Sequence, residues 1–120
     1  MIKPFIYAIA GVVAAVKGER NMRIHVVAAI VAISLGAWLE LSACEWTAVV
    51  ICCTLVMSLE CQNTAIEAAV DLASPEIRPL AKKAKDCAAG AVLLAAIGSA
   101  VVGCVVFVPR LLRLFTLHTA

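Results

Sequence analysis

The chain has 120 residues, enough for one domain, and 64% of them are hydrophobic whereas only 15% are charged. Soluble domains are typically about half apolar and about one-quarter charged, so a water-soluble globular fold is excluded. A formal net charge of +2 and 5% aromatic residues also exclude a nucleic-acid-binding protein built on a basic surface. The composition therefore predicts an integral membrane protein.

The N-terminal segment is apolar but too short to cross a membrane. Residues 3–18 begin with Lys3 and Pro4, and proline suits the first turn of a helix. A span needs about 20 apolar residues. We therefore predict an amphipathic helix on the membrane surface, within a surface and cytoplasmic segment at residues 1–23 that has no signal-peptide cleavage site.

Three longer apolar segments predict membrane-spanning helices, which makes the fold class all-α. The second segment crosses fully only if Glu60, Gln62 and Asn63 enter the inner membrane boundary, because its purely apolar part ends at Leu59 and rises only about 21 Å. Glycines in the third segment should allow close helix contact. The predicted spans are residues 24–41, 46–65 and 88–108, with a polar segment at 66–87 between the second and third.

Basic residues give the orientation of these spans. Eight of them lie before the first span or in the 66–87 segment, whereas only Arg110 and Arg113 follow the third span. The positive-inside rule places the N-terminus and the 66–87 segment in the cytoplasm. We therefore expect a multi-pass protein of the inner (cytoplasmic) cell membrane, with its C-terminus outside.

Polar residues form one stripe at the predicted cytoplasmic boundary. On a single helix, Glu60, Asn63, Thr64, Glu67 and Asp71 fall within about 100° of one another. A charge at mid-membrane depth costs about 2.5–3.5 kcal/mol, so these carboxylates require cations or polar partners. For Asp71, the simpler interpretation is the solvated face of a cytoplasmic helix.

This stripe has the chemistry of a magnesium site beside a proton acceptor. Carboxylate and amide oxygens are hard ligands that suit Mg²⁺, and Glu67 with Glu19 from another element would fit. Glu60, the most membrane-embedded carboxylate, could take a proton from an alcohol. No Gly-rich phosphate loop follows a strand, so the sequence pattern alone does not name the phosphate donor.

Two further features have both functional and simpler interpretations. Lys85, with Lys82 or Lys83, could neutralise phosphate oxygens, although Lys82 and Lys83 also fit attraction to anionic lipid. Glu19 could instead form an ion pair with Arg23 four residues later. The six cysteines form no metal or disulfide pattern and are interpreted as small buried apolar residues.

The stripe also carries a family resemblance. Residues 60–71, ECQNTAIEAAVD, resemble the ExxN[ST]AIExxxD signature of the prokaryotic diacylglycerol kinase family, which includes undecaprenol kinase. Residues 19–25, ERNMRIH, and residues 74–97 resemble the segments on either side, and the similarity covers nearly the whole chain. The ERNxRIH and NTAIE forms look more like the undecaprenol-kinase branch, whereas NSAIE is typical of the diacylglycerol branch.

The resemblance implies a lipid kinase that transfers phosphate from MgATP to a membrane lipid alcohol, undecaprenol or diacylglycerol. It implies a homotrimer with composite active sites between subunits at the cytoplasmic face. Glu60 matches the general base, and Glu19 and Glu67 match the metal ligands. The residues implied at the nucleotide are Tyr7, Glu19, Asn63, Glu67, Lys85 and Asp86.

One departure from the signature is the Cys61-Gln62 pair, which replaces apolar residues. Gln62 points away from the polar stripe, so we expect it to alter a subunit contact rather than catalysis.

The alternative function is a small ion-coupled transporter, because membrane carboxylates can relay protons. A transporter would place such groups near mid-bilayer between inverted repeats, whereas here they cluster at one face and no repeat is present.

Overall fold

The computed structural model describes all 120 residues, as four α-helices without a strand. Three of the helices are long and apolar enough to cross a membrane, which confirms the predicted all-α fold class with three spans. The first of these ends at Trp38, three residues before the predicted end of the first span. The helices are α1 (Lys3–Gly18), α2 (Arg20–Trp38), α3 (Ala43–Ala73) and α4 (Pro79–His118).

Glu19 alone separates α1 from α2. Its backbone is extended, and the Arg23 guanidinium folds back to donate to the carbonyls of Val16 and Lys17, at 3.3 and 2.9 Å. These carbonyls lie at the end of α1, where no helical N–H group is available to them. Because Arg23 caps α1, the Glu19–Arg23 ion pair considered above does not form, and the Glu19 carboxylate stays available.

The turn between α2 and α3 is closed by a capping box. The Ser42 amide donates to Glu45 Oε2 at 2.8 Å, and the Glu45 amide donates to Ser42 Oγ at 3.3 Å. Glu40 takes a left-handed conformation, with φ of 54°, to reverse the chain. The Ser-x-x-Glu pattern at 42–45 is a known sequence signature of a helix start, although the predicted second span began only at residue 46.

Gly36, close to this turn, is the one glycine at which an added side chain would meet neighbouring atoms. A Cβ atom on Gly36 would lie 2.9 Å from Leu41 Cδ1 and 3.1 Å from Trp46 Cη2. In α4, by contrast, a Cβ atom on any glycine would meet no atom of the subunit within 4 Å. Within one subunit, the prediction of close helix contact through the third-span glycines is therefore wrong.

Arg110 ties α4 to this turn. Its Nε and Nη2 atoms donate to Glu45 at 3.2 and 2.5 Å, and its Nη1 atom donates to the carbonyls of Leu39 and Glu40. Both charged side chains are about three-quarters buried. Arg110 is thus neutralised within the fold, which leaves Arg113 as the one unpaired arginine near the C-terminal end of α4.

A second ion pair joins α3 to α4 at the other end. Lys85 Nζ lies 2.5 Å from Asp71 Oδ1. Along α3, the rise between Glu45 and Asp71 is about 39 Å, close to the roughly 40–45 Å thickness of a bilayer with its headgroups. The two ion pairs therefore lie near opposite ends of the subunit, and the apolar core of Leu41, Val49 and Val106 lies near the Glu45 end.

α4 begins and ends differently from the sequence expectation. The α3 helix runs through the polar stripe to Ala73, Ser74 caps its C-terminus, and the next helix starts at Pro79. After the predicted third span, α4 continues through Pro109 to His118, giving a helix about 60 Å long.

All six cysteines are free and none is fully buried within the subunit, so their interpretation as buried residues is wrong for this isolated chain.

The Glu45–Arg110 pair predicts a specific acid sensitivity. The hydrogen bond from Arg110, with that from the Ser42 amide, lowers the pKa of Glu45 from 4.5 to about 2. Because the folded pKa is below the unfolded value, the stabilisation is present above about pH 4.5 and is lost as the pH falls towards 2. We expect Glu45→Gln to remove this part of the pH dependence of the unfolding free energy, measured in micelles.

The matched control for this measurement is Glu76→Gln. Glu76 lies in the loop between α3 and α4, and its 3.6 Å contact with Arg78 is highly exposed. Exposed pairs contribute little to stability, so this variant should keep the wild-type profile. Identical acid profiles for Glu45→Gln and wild type would contradict the prediction.

Candidate active site

The predicted polar stripe lies on one unbroken helix, α3, with a steady gradient of exposure. Glu60 is 2% exposed and Asn63 is 9% exposed. Glu67, one turn further along, is half-buried, and Asp71 is exposed. The stripe thus runs from a buried end at Glu60 to an exposed end at Asp71.

Glu60 lies where α3 meets the junction of α1 and α2. It is one of the two largest fully buried side chains, the other being Met22 of α2. The charged groups that act on it electrostatically are His25, Glu19 and Glu67. Glu19, Glu67 and His25 are thus the ionisable neighbours of Glu60, although the carboxylates do not converge closely enough to hold a metal ion. His25 was not among the predicted site residues, because its only sequence signal was a polar residue at the start of an apolar span.

Asn63 carries the clearest sign of an incomplete site. Its Nδ2 atom donates to Glu67 Oε1 at 3.4 Å, while its Oδ1 atom is buried without a hydrogen-bond partner. Buried polar atoms are almost always paired, so this oxygen needs a ligand. An amide oxygen beside a carboxylate is the donor chemistry that Mg²⁺ prefers, and the residues therefore fit that ion.

The metal shell is nonetheless not complete within one subunit. No three histidine, cysteine or acidic side chains converge closely enough to hold a metal ion. The Thr64 hydroxyl is turned towards the Glu60 carbonyl, to which it donates at 3.0 Å. A cation bound here would need oxygens beyond those that one subunit brings together.

Two basic residues near the exposed end of the stripe are held in ion pairs. Lys85 pairs with Asp71 across the helices, and Lys82 pairs with Asp86 one turn along α4. The hydrogen bond to Asp71 raises the pKa of Lys85, which therefore stays charged. Asp71 is thus more than a solvated surface residue, because it positions a lysine beside the stripe.

Tyr7 stands apart from the other predicted site residues. It is 71% exposed on α1 and makes no hydrogen bond in the subunit. Its predicted place near a nucleotide would require contact with another subunit or with the ligand itself.

An apolar cavity lies on the membrane side of Glu60. It has a volume of about 270 Å³ and is enclosed by α2, α3 and α4. His25 and Val56 line it near Glu60, and Phe107 lines it towards the other membrane face. The hydroxyl of Ser99, which also lines the cavity, is buried without a partner.

Comparison with known proteins shows which family the chain belongs to. The family model for prokaryotic diacylglycerol kinase matches residues 6–107. The chain belongs to the prokaryotic diacylglycerol kinase family. It is 41% identical over 109 residues to an undecaprenol kinase of Bacillus subtilis, covering 91% of this chain and 89% of that protein.

Other members of the family are similar at comparable levels. A diacylglycerol kinase of Synechocystis is 44% identical over 115 residues, which cover 95% of this chain and 66% of that protein. The diacylglycerol kinase of Escherichia coli is 34% identical over 105 residues, which cover 88% and 86% of the two chains. The resemblance drawn from residues 60–71 is therefore confirmed, and the transporter alternative has no support.

The Lys85–Asp71 pair leads to a prediction for this family member. Asp71→Asn removes the carboxylate that raises the pKa of Lys85, so the apparent pKa of that amine should fall. The ion pair stabilises the fold at pH values below the ordinary lysine pKa of 10.5. This stabilisation is lost as the pH rises through the raised pKa of Lys85. Competitive acetylation of the amine over a pH series, read by mass spectrometry, measures the change.

Asp86→Asn is the matched control, because Asp86 pairs with Lys82 rather than Lys85. It should leave the acetylation profile of Lys85 unchanged. Equal profiles for Asp71→Asn and wild type would show that the cross-helix pair does not form in the membrane.

Proposed function

We propose that this protein transfers the γ-phosphate of ATP to the hydroxyl group of a membrane lipid, undecaprenol or diacylglycerol, at the cytoplasmic face. The observation that carries the proposal is the fully buried Glu60 carboxylate, placed at membrane depth at one end of a polar stripe in a chain of the lipid kinase family. The stripe runs from the buried Glu60 at membrane depth to the exposed Asp71. A lipid hydroxyl at the first end and a nucleotide at the second would each stay in its own phase.

The nucleotide end of the site is assigned to the half-buried and exposed part of the stripe. Glu67 and Glu19 would hold Mg²⁺, and the unpaired Oδ1 of Asn63 supports this assignment. When bound, Mg²⁺ supplies charge neutralisation for the transferring phosphoryl group. Lys85 lies at the same level and adds a positive charge for the phosphate oxygens.

Three remaining assignments complete the nucleotide end. Asp86, next to Lys85, contacts the nucleotide after release from Lys82. Tyr7 contacts it from α1 once subunits assemble as a homotrimer. That assembly would also supply the further oxygens that a single subunit does not bring to the metal.

The lipid end of the site is assigned to Glu60 and the cavity beside it. The cavity has apolar walls and reaches His25, one of the groups that act on Glu60. An alkyl chain is the ligand chemistry that such walls accept. The acceptor hydroxyl would then lie at the polar end of the cavity, within reach of the carboxylate.

The proposed reaction is a direct in-line transfer. The lipid oxygen attacks the γ-phosphorus, the bond from that phosphorus to the β–γ bridging oxygen breaks, and ADP leaves. Glu60 accepts the proton of the attacking hydroxyl as the new P–O bond forms. Burial at the membrane boundary keeps water away from Glu60, which disfavours hydrolysis of ATP.

The first test is phosphate transfer in mixed micelles with labelled ATP and Mg²⁺, with undecaprenol and diacylglycerol offered separately. We expect label on one of these lipids. Glu60→Gln should lower the rate about 10²- to 10⁴-fold, the usual contribution of a general base. The variant should remain folded, because glutamine has nearly the same size.

The lipid that carries the label decides the acceptor. Label on undecaprenol places the enzyme in supply of a lipid carrier, and label on diacylglycerol places it in lipid recycling. Glu76→Gln, outside the stripe, is the control and should retain full activity. Folded protein that labels neither lipid would overturn the proposal.

The metal assignment predicts a separate change in binding. Glu67→Gln should raise the dissociation constant for a divalent cation in the presence of nucleotide, because a ligating charge is lost. Electron paramagnetic resonance of bound Mn²⁺ measures this constant without turnover. Binding equal to that of wild type would remove Glu67 from the metal site, and Glu76→Gln again serves as the control.

A further inference from the structure

One hydroxyl group inside the subunit has neither a hydrogen-bond partner nor a part in the proposed reaction. Ser99 of α4 lines the apolar cavity, and its Oγ atom is buried without a partner. Buried polar atoms are almost always paired, because an unpaired one loses its hydrogen bonds to water and gains none in return. The Ser99 hydroxyl group is therefore a candidate for contact with a ligand in the cavity.

The other hydroxyl groups of α3 and α4 are all paired. Each donates to a carbonyl one turn back in its own helix, which is a common arrangement for serine and threonine within helices. Ser99 has the Ala95 carbonyl at the same spacing but does not bond to it. The paired hydroxyl groups are those of Thr47, Thr54, Ser58, Thr64 and Thr116.

Ser99 lies at nearly the same membrane depth as Glu60. The ion pairs at the two ends of α3 and α4 fix the antiparallel register of these helices. In this register Ser99 is level with Val56, and both residues line the cavity. Val56 precedes Glu60 by four residues, which is about 6 Å along the helix. A ligand with one polar group at Glu60 could therefore present a second one to Ser99.

Water is a poor partner for this hydroxyl group. A buried water molecule typically needs about three hydrogen bonds to polar atoms. The only other lining side chain with a nitrogen or oxygen atom is His25, and the thiols of Cys52 and Cys53 are weak partners. The cavity therefore suits an apolar molecule that carries its own hydrogen-bond acceptor.

The two candidate lipids differ in this respect. Each has a hydroxyl group that could lie at Glu60. Diacylglycerol also has ester carbonyl groups, which accept hydrogen bonds and lie a few bonds from its hydroxyl group. Undecaprenol has only hydrocarbon beyond its hydroxyl group and would leave Ser99 unpaired.

We propose that Ser99 is a specificity-determining residue of the acceptor site, and that its hydroxyl group donates to an ester carbonyl of diacylglycerol. This inference rests on the proposed lipid kinase activity and selects the glycerol ester over the polyprenol. Neighbouring atoms cover Oγ, so rotation about the Cα–Cβ bond to another staggered position brings it to the carbonyl. Because Ser99 does not touch the reacting atoms, it acts on binding of the acceptor.

The first experiment compares a diacylglycerol with its dialkyl ether analogue, which keeps the hydroxyl group and the chains but lacks the carbonyl groups. Phosphate transfer from labelled ATP is measured for each lipid in mixed micelles. The wild-type protein should prefer the ester about 2- to 13-fold in kcat/KM, which is the contribution of one hydrogen bond. Ser99→Ala should lose this preference by raising the KM for the ester alone, and Ser99→Thr should keep it.

Ser58→Ala is the matched control, because it removes a hydroxyl group that is paired within α3 and does not line the cavity. It should retain the ester preference. Equal losses on both lipids for Ser99→Ala would reveal a purely structural role and overturn the proposal. The same conclusion follows if the wild-type protein shows no ester preference or phosphorylates undecaprenol alone.

The second experiment detects the hydrogen bond without turnover. Diacylglycerol with carbon-13 at its ester carbonyl groups is bound to the full chain in micelles without ATP, and its carbonyl stretch is measured by isotope-edited infrared spectroscopy. A hydrogen bond lowers the frequency of this stretch. We expect a low-frequency component for wild type and Ser58→Ala that is absent for Ser99→Ala. Identical spectra for wild type and Ser99→Ala would overturn the proposal.

The two experiments separate this proposal from the kinase activity on which it rests. A Ser99-dependent carbonyl signal without phosphate transfer to either lipid would refute the lipid kinase and keep the diacylglycerol contact. Phosphate transfer with no Ser99-dependent signal and no ester preference would keep the kinase and refute the contact.

Discussion

The structure depends on one constraint, which is that a polar group inside hydrocarbon must find its partner within the protein. The backbone satisfies itself in helices, and the charged side chains are confined to the two ends of the subunit. Glu45 with Arg110 and Asp71 with Lys85 lie about one membrane thickness apart along α3. Between these ion pairs, Glu60 and Asn63 are the buried polar groups, and for this reason the proposed chemistry is assigned to them.

That placement explains why a chain of 120 residues can act on reactants in two phases. A kinase for a soluble substrate can close around both reactants, whereas a lipid hydroxyl stays close to the membrane boundary. The gradient of exposure from Glu60 to Asp71 matches this restriction, since the carboxylate nearest the lipid is dry and the ion pair nearest the cytoplasm is wet. The gradient needs nothing beyond one straight helix and a spacing of three and four residues.

Much of this could be predicted from the sequence, because apolar run length and helical spacing are local properties. The three spans and the common face of Glu60, Asn63 and Glu67 follow from them directly. What escaped prediction depends on distant parts of the chain meeting. Sequence spacing gives no sign of three such contacts. They are the pairing of Arg110 with Glu45, the pairing of Lys85 with Asp71, and the approach of His25 to Glu60.

Some local features were also misjudged, and their causes differ. The glycines of the third span suggested close packing, yet the close approach within the subunit is at Gly36, where the chain reverses. Assignments that need a second subunit, such as Tyr7 at a nucleotide, remain predictions because one chain cannot display them.

The ion pairs at the two ends of the subunit differ in burial and in their number of hydrogen bonds. At the outer face, Arg110 holds α2, α3 and α4 together through four hydrogen bonds in a partly buried position. At the cytoplasmic face, a single exposed pair joins α3 to α4, and exposed pairs contribute little. As far as ion pairing is concerned, α3 and α4 are therefore held together less firmly near Lys85 than near Arg110.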